Sequence, residues 1–187
     1  MVGTLRNRYN QNVSFSSVMA TENLTTIKFK LPSGVATYSG KTGEFEIVLN
    51  AGESYLVVAT GTDNHLIGTL IESDKDIVVN TGSGTGSNAS SNGGQDYGMD
   101  QVVGEDFIGS DYIFIKGDGD SDWEKALVIS NQDDTDVYVN GQLWRTLNES
   151  EYAFISEYNN GNMYISTNDQ TKKLFAYQSL GRVYTSG

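Results

Sequence analysis

The segment VMATENLTTIKF (18–29) is echoed by VISNQDDTDVYV (128–139). Each reads as a strand, a polar turn, then threonine before an alternating strand. Downstream, LNAGESYLVV (49–58) matches LNESEYAFI (147–155) with one residue fewer. GTLIESDKDIVV (68–79) resembles GNMYISTNDQTKKLFAY (161–177), with a longer turn in the second copy. Several strands recurring in one order confine the chain to folds built from two copies of a module. Two copies are too few for a solenoid. The copies are expected at 12–80 and 108–187, joined by a crossover loop at 81–107.

The modules read as β structure. TIKFKL (26–31) alternates apolar Ile27, Phe29 and Leu31 with Lys28 and Lys30. EFEIVL (44–49), SYLVVA (54–59), DIVVN (76–80), DYIFIKG (111–117), KALVIS (125–130), TDVYVNG (135–141), EYAFIS (151–156), NMYIS (162–166) and KLFAYQ (173–178) follow the same rule. Turn residues part them at Asn50–Gly52, Asn140–Gly141 and Asn160–Gly161. No stretch of ten residues has a helical period; short helical turns fit only 99–108. The expected class is all-β, two related antiparallel modules packed as a β-sandwich-like unit.

Between the copies lies TGSGTGSNASSNGGQDYGMDQ (81–101). Its glycines allow either a flexible linker or an ordered surface loop. Asp96, Tyr97, Asp100 and Gln101 at its end form a dense polar–aromatic cluster. They are a candidate ligand or metal site, or a polar knot pinning the loop through backbone amides. GDGDSDWE (117–124) places acids on alternate positions. Oxygen ligands in that pattern suit calcium, which makes Asp118, Asp120 and Asp122 candidate calcium ligands. Counted from Asp118, the sixth position is Trp123 and the twelfth Ile129, so the run is not an EF-hand. The plainer reading is a hairpin loop turned by Gly117 and Gly119 with solvated acids. NQDDTD (131–136) reads as a structural turn closed by Thr135.

His65 is the one histidine, and no GxSxG motif accompanies it, which argues against a Ser-His-Asp hydrolase. Acids are plentiful, but no glutamate pair marks a glycosidase. Trp123, Trp144, Tyr97, Tyr158 and Tyr164 are candidates for sugar stacking, against the commoner role of core or cross-strand rings. Four sequons (Asn12, Asn23, Asn88, Asn148) are expected by chance in so Asn/Ser/Thr-rich a chain.

Twenty-four acids against 12 bases give a formal charge of −12. That surface repels nucleic acid and anionic lipid. The absence of cysteine excludes a disulfide scaffold, thiolate metal sites and a cysteine nucleophile. No apolar run reaches the ~18 residues of a membrane span, and MVGTLRNRYNQ is no signal peptide. The chain reads as a piece of a longer protein.

IESDKDIVV, the Gly/Ser/Asn loop, DYGMDQ, GSDYIFIKG and ALVISNQDDTDVYVNG together resemble the IgGFc-binding protein N-terminal domain family. LNESEYAFI and the closing LFAYQ fit its later strands. The proline that commonly follows DQ and the usual C-terminal extension are missing. The resemblance, over roughly 65–180, implies a domain of a large secreted or surface protein of the bacterial, Bacteroidota-like kind. It implies an extracellular, adhesin-like role, with neighbouring domains in the same protein and a surface protein or glycan as ligand. Immunoglobulin binding does not carry over, because no residue set reads as an Fc site. The expected function is non-enzymatic binding or adhesion, with calcium as the one candidate cofactor. The alternatives are a lectin-like or carbohydrate-active domain and a structural spacer.

Overall fold

The computed structural model describes residues 6–7, 13–60, 65–87, 96–119 and 123–179. The chain divides into two compact units, residues 1–87 with 95–103 and residues 88–94 with 104–187.

The first unit holds β1 (Arg6–Asn7), β2 (Ser14–Ala20), β3 (Thr25–Lys30), β4 (Glu44–Leu49), β5 (Ser54–Val58), β6 (Leu70–Ser73), β7 (Ile77–Ser87) and β8 (Asp96–Gln101). One antiparallel sheet runs β1-β7-β2-β5, with β8 also paired to β7; the other runs β4-β3-β6. Alternation decides which side chains meet. Val18 and Ala20 of β2 and Val57 of β5 are buried in one cluster with Ile27 and Phe29 of β3 and Leu49 of β4. Phe29 stacks on Phe45 at 4.9 Å between ring centroids.

The first described element of the second unit is a 3₁₀ turn at Glu105–Phe107. The unit continues with β9 (Asp111–Ile115), β10 (Lys125–Ser130), β11 (Thr135–Val139), β12 (Gln142–Leu147), β13 (Tyr152–Ile155), β14 (Asn162–Ser166) and β15 (Leu174–Ser179). Its sheets run β13-β10-β15 and β12-β11-β14-β9. They share a core of Ala126, Val128, Val137, Val139, Leu147, Ile155, Met163 and Ile165. Leu127 and Ile129, which face away from that core, are buried too, so KALVIS reads as a continuous apolar run rather than an alternation. Each unit is thus a two-sheet antiparallel sandwich in its own right.

The strand orders coincide. β7-β2-β5 corresponds to β15-β10-β13, and β4-β3-β6 to β12-β11-β14. In both copies the chain crosses from one sheet to the other through a four-residue corner, whose last residue is left-handed: Leu24 at φ 55° and Asp134 at φ 53°. The following threonine hydroxyl donates back into the corner, Thr25 Oγ1 to Glu22 O at 2.8 Å and Thr135 Oγ1 to Gln132 O at 2.9 Å. An asparagine from the turn before the next strand accepts from the left-handed residue. Leu24 N reaches Asn50 Oδ1 at 3.3 Å, and Asp134 N reaches Asn148 Oδ1 at 3.4 Å. The same turn is closed by a glutamate, with Asn50 N on Glu53 Oε2 at 2.7 Å and Asn148 N on Glu151 Oε2 at 2.8 Å. A lysine then clasps the corner carbonyls. Lys75 Nζ donates to Asn23 O at 2.6 Å and Leu24 O at 3.2 Å; Lys172 Nζ donates to Asp133 O at 2.9 Å and Asp134 O at 2.6 Å.

Two expectations are corrected. The turns LNAGE and LNESE have equal length, so no residue is missing from the second copy. Val18 pairs with Tyr55 and Val128 with Ala153, which aligns Tyr55 with Ala153. Matching Tyr55 to Tyr152 slips the register by one and turns the ring to the opposite face. Of the expected crossover loop at 81–107, the described residues 81–87 and 96–101 are strand. β7 runs on through the glycine-rich stretch to Ser87, and DYGMDQ returns as β8. Glycine is poor in strands, but Gly82 sits where nothing larger fits. A Cβ there would meet the Phe15 ring and the Gly98 carbonyl, each at 2.5 Å. The Asn-Gly turns behave as expected, with positive φ at both residues of Asn140-Gly141 and Asn160-Gly161.

The comparison of copies locates a strained residue. Gly52 has φ 81°, and its counterpart Ser150 holds φ 67° with a buried, unpartnered hydroxyl. Ser150→Gly is expected to raise stability by about 0.5–1 kcal/mol, and Gly52→Ala to lower it by about 1–2 kcal/mol. Urea melts of the two variants check both signs.

Candidate functional site

Features shared by both copies serve the fold. Features present in one copy only are where binding chemistry is to be sought. Among the described residues they are β1 and β8 of the first unit, and the acidic loop and β9 of the second.

In the acidic loop, the residue that organises the structure is Glu124, which the sequence reading passed over. Its carboxylate is 2 % exposed. Oε2 accepts from Gly117 N at 2.8 Å and Oε1 from Gly119 N at 2.8 Å. Lys116 Nζ donates to Gly119 O at 2.7 Å and closes the loop from the other side. A Cβ on Gly117 would stand 2.7 Å from Glu124 Oε1, so glycine is required by close approach. The available signal was the one glutamate of the run set behind two glycines. Of the candidate calcium ligands, Asp118 is exposed, and Asp120 and Asp122 lie outside the described residues. Among the described residues, no group of three or more His, Asp or Glu side chains converges as a metal site.

DYGMDQ is held by strand pairing, with Gly82 opposite Met99, Thr81 opposite Asp100 and Asn80 opposite Gln101. Asp100 and Gln101 are exposed, and Asp100 Oδ1 accepts from Gln101 N at 2.8 Å. The side chains of Asp96 and Tyr97 lie outside the described residues. The NQDDTD turn is structural, with Asp133 Oδ1 accepting from Glu149 N at 3.0 Å.

β9 extends the second module with a strand that has no counterpart among the described residues of the first, and the outer face of that sheet has changed character. In the first unit Lys28 lies between Glu46 and Glu72, with Lys30 beside Glu44, and Lys28 Nζ stands 3.7 Å from Glu44. This is a solvated charge ladder. In the second unit Tyr138 takes the place of Lys28, between Leu143 and Ser166. Beyond them Tyr164 pairs with Ile113 and Asn162 with Ile115. Ile113 is 72 % exposed, Ile115 67 % and Leu143 57 %. At one corner of the face Asp111 accepts from Ser110 Oγ at 2.6 Å, Gln170 Nε2 at 3.1 Å and the Tyr164 hydroxyl. The Ser110 and Tyr164 bonds hold its carboxyl below the usual range, and the same bond to Asp111 pushes the Tyr164 phenol up.

The proposed stacking rings are mostly committed elsewhere. Trp144 packs on the core and donates Nε1–H to Glu157 Oε1 at 2.8 Å. Tyr158 packs on the same core and accepts from Gln178 Nε2 at 3.2 Å. Trp123 is half-buried; Tyr164 lies on the exposed face.

A family model described as IgGFc binding protein matches residues 1–184. The chain belongs to the IgGFc-binding protein family. The match spans both copies of the module, so one family unit contains the whole duplication. No curated protein and no solved structure matches the chain. No described helix is long and apolar enough to cross a membrane.

Two measurements test the site of this IgGFc-binding family domain. Glu124→Gln replaces one acceptor with a donor against a backbone amide. It is expected to cost about 2–3 kcal/mol, read as a lower urea midpoint at unchanged slope. Asp111 carries a depressed pKa, so its contribution to stability is present above the ordinary carboxylate value, about 3.9. That contribution is lost as pH falls through the lower folded value. An NMR titration of its carboxyl carbon should give a midpoint below about 3.9, moving up in Ser110→Ala. A midpoint at the ordinary value refutes the assignment.

Proposed function

We propose that this chain is a non-enzymatic binding domain of an extracellular protein, and that its ligand is a protein held on the outer face of the β12-β11-β14-β9 sheet. Membership of the IgGFc-binding family supports an extracellular, protein-binding role. The observation that carries the choice of surface is the contrast between copies. At one rung of a duplicated fold, Glu46–Lys28–Glu72 gives way to Leu143–Tyr138–Ser166, and the added strand β9 sets Ile113 beside Tyr164 and Ile115 beside Asn162. Solvent favours the first arrangement. Isoleucines left this exposed on a flat sheet cost solubility unless a partner covers them, and tyrosine is enriched at the centres of protein interfaces. A bacterial surface protein of adhesive function is the context that fits the acidic, cysteine-free composition.

The test is binding of the chain to a panel of immobilised extracellular proteins, including immunoglobulin Fc fragment and mucin, beside a glycan array. Wild type is expected to bind a protein, and Ile113→Lys with Ile115→Lys to weaken that binding at least tenfold at unchanged melting temperature. Binding confined to glycans, or turnover of a polysaccharide, overturns the reading.

A further inference from the structure

The same comparison exposes a second surface, on a different strand. β7 and β15 occupy equivalent places in their sheets, each beside the strand that leads into the corner. β7 is covered on its far edge by β8. β15 pairs with β10 and with no second strand among the described residues.

The backbone directions follow from the alternation of antiparallel pairs. Asn131 N donates to Lys173 O at 3.3 Å. Phe175, Tyr177 and Ser179 therefore bond to β10, while Leu174, Ala176 and Gln178 turn their amides and carbonyls off the sheet. Leu174 is satisfied there, its N–H donating to Gly109 O at 2.9 Å and its carbonyl accepting from Tyr112 Oη at 2.6 Å. Among the described residues, the positions of β15 left without a further backbone partner are Ala176 and Gln178, the latter's side chain donating to Ile115 O at 2.7 Å. Register equates them with Val79 and Thr81. In the first unit those positions are engaged by β8 and its extension, with Val102 N on Val79 O at 2.9 Å and Thr81 opposite Asp100.

We propose that the open edge of β15 accepts an extended acidic strand from a partner protein, in the antiparallel manner in which β7 accepts β8. The occupied edge in the first copy shows that this fold takes a strand there. Charge selects its composition. Lys125 stands opposite Ser179 at one end of β15 and Lys173 precedes Leu174 at the other, and β8, the strand already in the equivalent place, carries Asp96 and Asp100. Four backbone groups, the N–H and C=O of Ala176 and Gln178, supply the ladder, and flanking lysines fix the register. A second copy is the less suitable occupant, because each chain brings a net charge of −12 and its own β8 is already paired.

The inference rests on the binding-domain reading but uses other residues, so the two fail separately. The probe is the synthetic peptide QDYGMDQVV, titrated against the full chain by fluorescence polarisation. Controls are a scrambled peptide and a version with both aspartates changed to lysine. Two further peptides carry N-methyl groups on one or the other set of alternate amides. The expected result is saturable binding, at least tenfold weaker for the scrambled and lysine peptides. One N-methyl set should be weakened tenfold and the other left near the parent. Ala176→Pro, whose lost N–H points away from β10, should weaken binding tenfold; Lys125→Glu with Lys173→Glu should do the same without touching the backbone. Equal binding by the two N-methyl sets, or none up to millimolar peptide, overturns the proposal. So does a dimer in sedimentation equilibrium that Ala176→Pro converts to monomer, which assigns the edge to a second copy. Loss of panel binding in the Ile113 and Ile115 variants with peptide binding intact leaves this proposal standing on its own.

Discussion

The fold of each module depends on one corner. A chain that must leave one sheet and enter the facing one within four residues needs a left-handed residue at the end of the turn. Left-handed backbone is costly for any residue with a side chain. The chain places leucine in one copy and aspartate in the other, so neither corner uses the glycine that would make the conformation cheap. What holds it is the surrounding set of hydrogen bonds. The threonine hydroxyl fixes the exit, the asparagine accepts from the left-handed amide, the glutamate closes the asparagine's turn, and the lysine donates to two corner carbonyls. Four side chains make the same five hydrogen bonds in both copies, at nearly the same distances. With the corner fixed, β2 and β3, or β10 and β11, have their inward faces opposed, and the two cores follow from alternation.

This dependence explains what could be read from the sequence. Strand positions were legible because Ile27 and Phe29, or Val137 and Val139, alternate with polar residues. The corner was legible because its threonine and flanking apolar residues repeat in register. The register of the following turn was not, because the eye pairs Tyr55 with Tyr152. The conserved atoms belong instead to Asn50 and Glu53, and to Asn148 and Glu151, which act through backbone amides and leave no hydropathy signal. β7 beyond Asn80 was illegible for a related reason. A strand of Gly, Ser and Thr has no apolar period, and its pairing is secured by Phe15 lying across Gly82, a contact between residues far apart in sequence.

The site was less legible than the fold. The acids of GDGDSDWE drew attention as possible ligands, whereas the structurally decisive one, Glu124, turns inward to hold two glycine amides. A buried carboxylate with two amide donors is a strong local tie, and it positions the entry to β10. The exposed face of the β12-β11-β14-β9 sheet appeared in the sequence only as ordinary alternation. Its meaning emerges when Tyr138 is set against Lys28 and Leu143 against Glu46. A duplicated fold carries its own control: where two copies agree, the residue serves the architecture, and where they part, selection has had another reason.

The division of the chain has a consequence for its synthesis. Every described strand of the first unit, β1 to β8, ends by Gln101, and the first described strand of the second begins at Asp111. The first sandwich therefore has all its described strands outside the ribosome before any look-alike strand of the second emerges. Two modules with interchangeable corners would otherwise be prone to trade strands, a recognised failure of repeated domains. Order of emergence removes the competitor at the moment of choice, and it does so because the strand that closes the first sheet, β8, is encoded ahead of the second copy rather than after it.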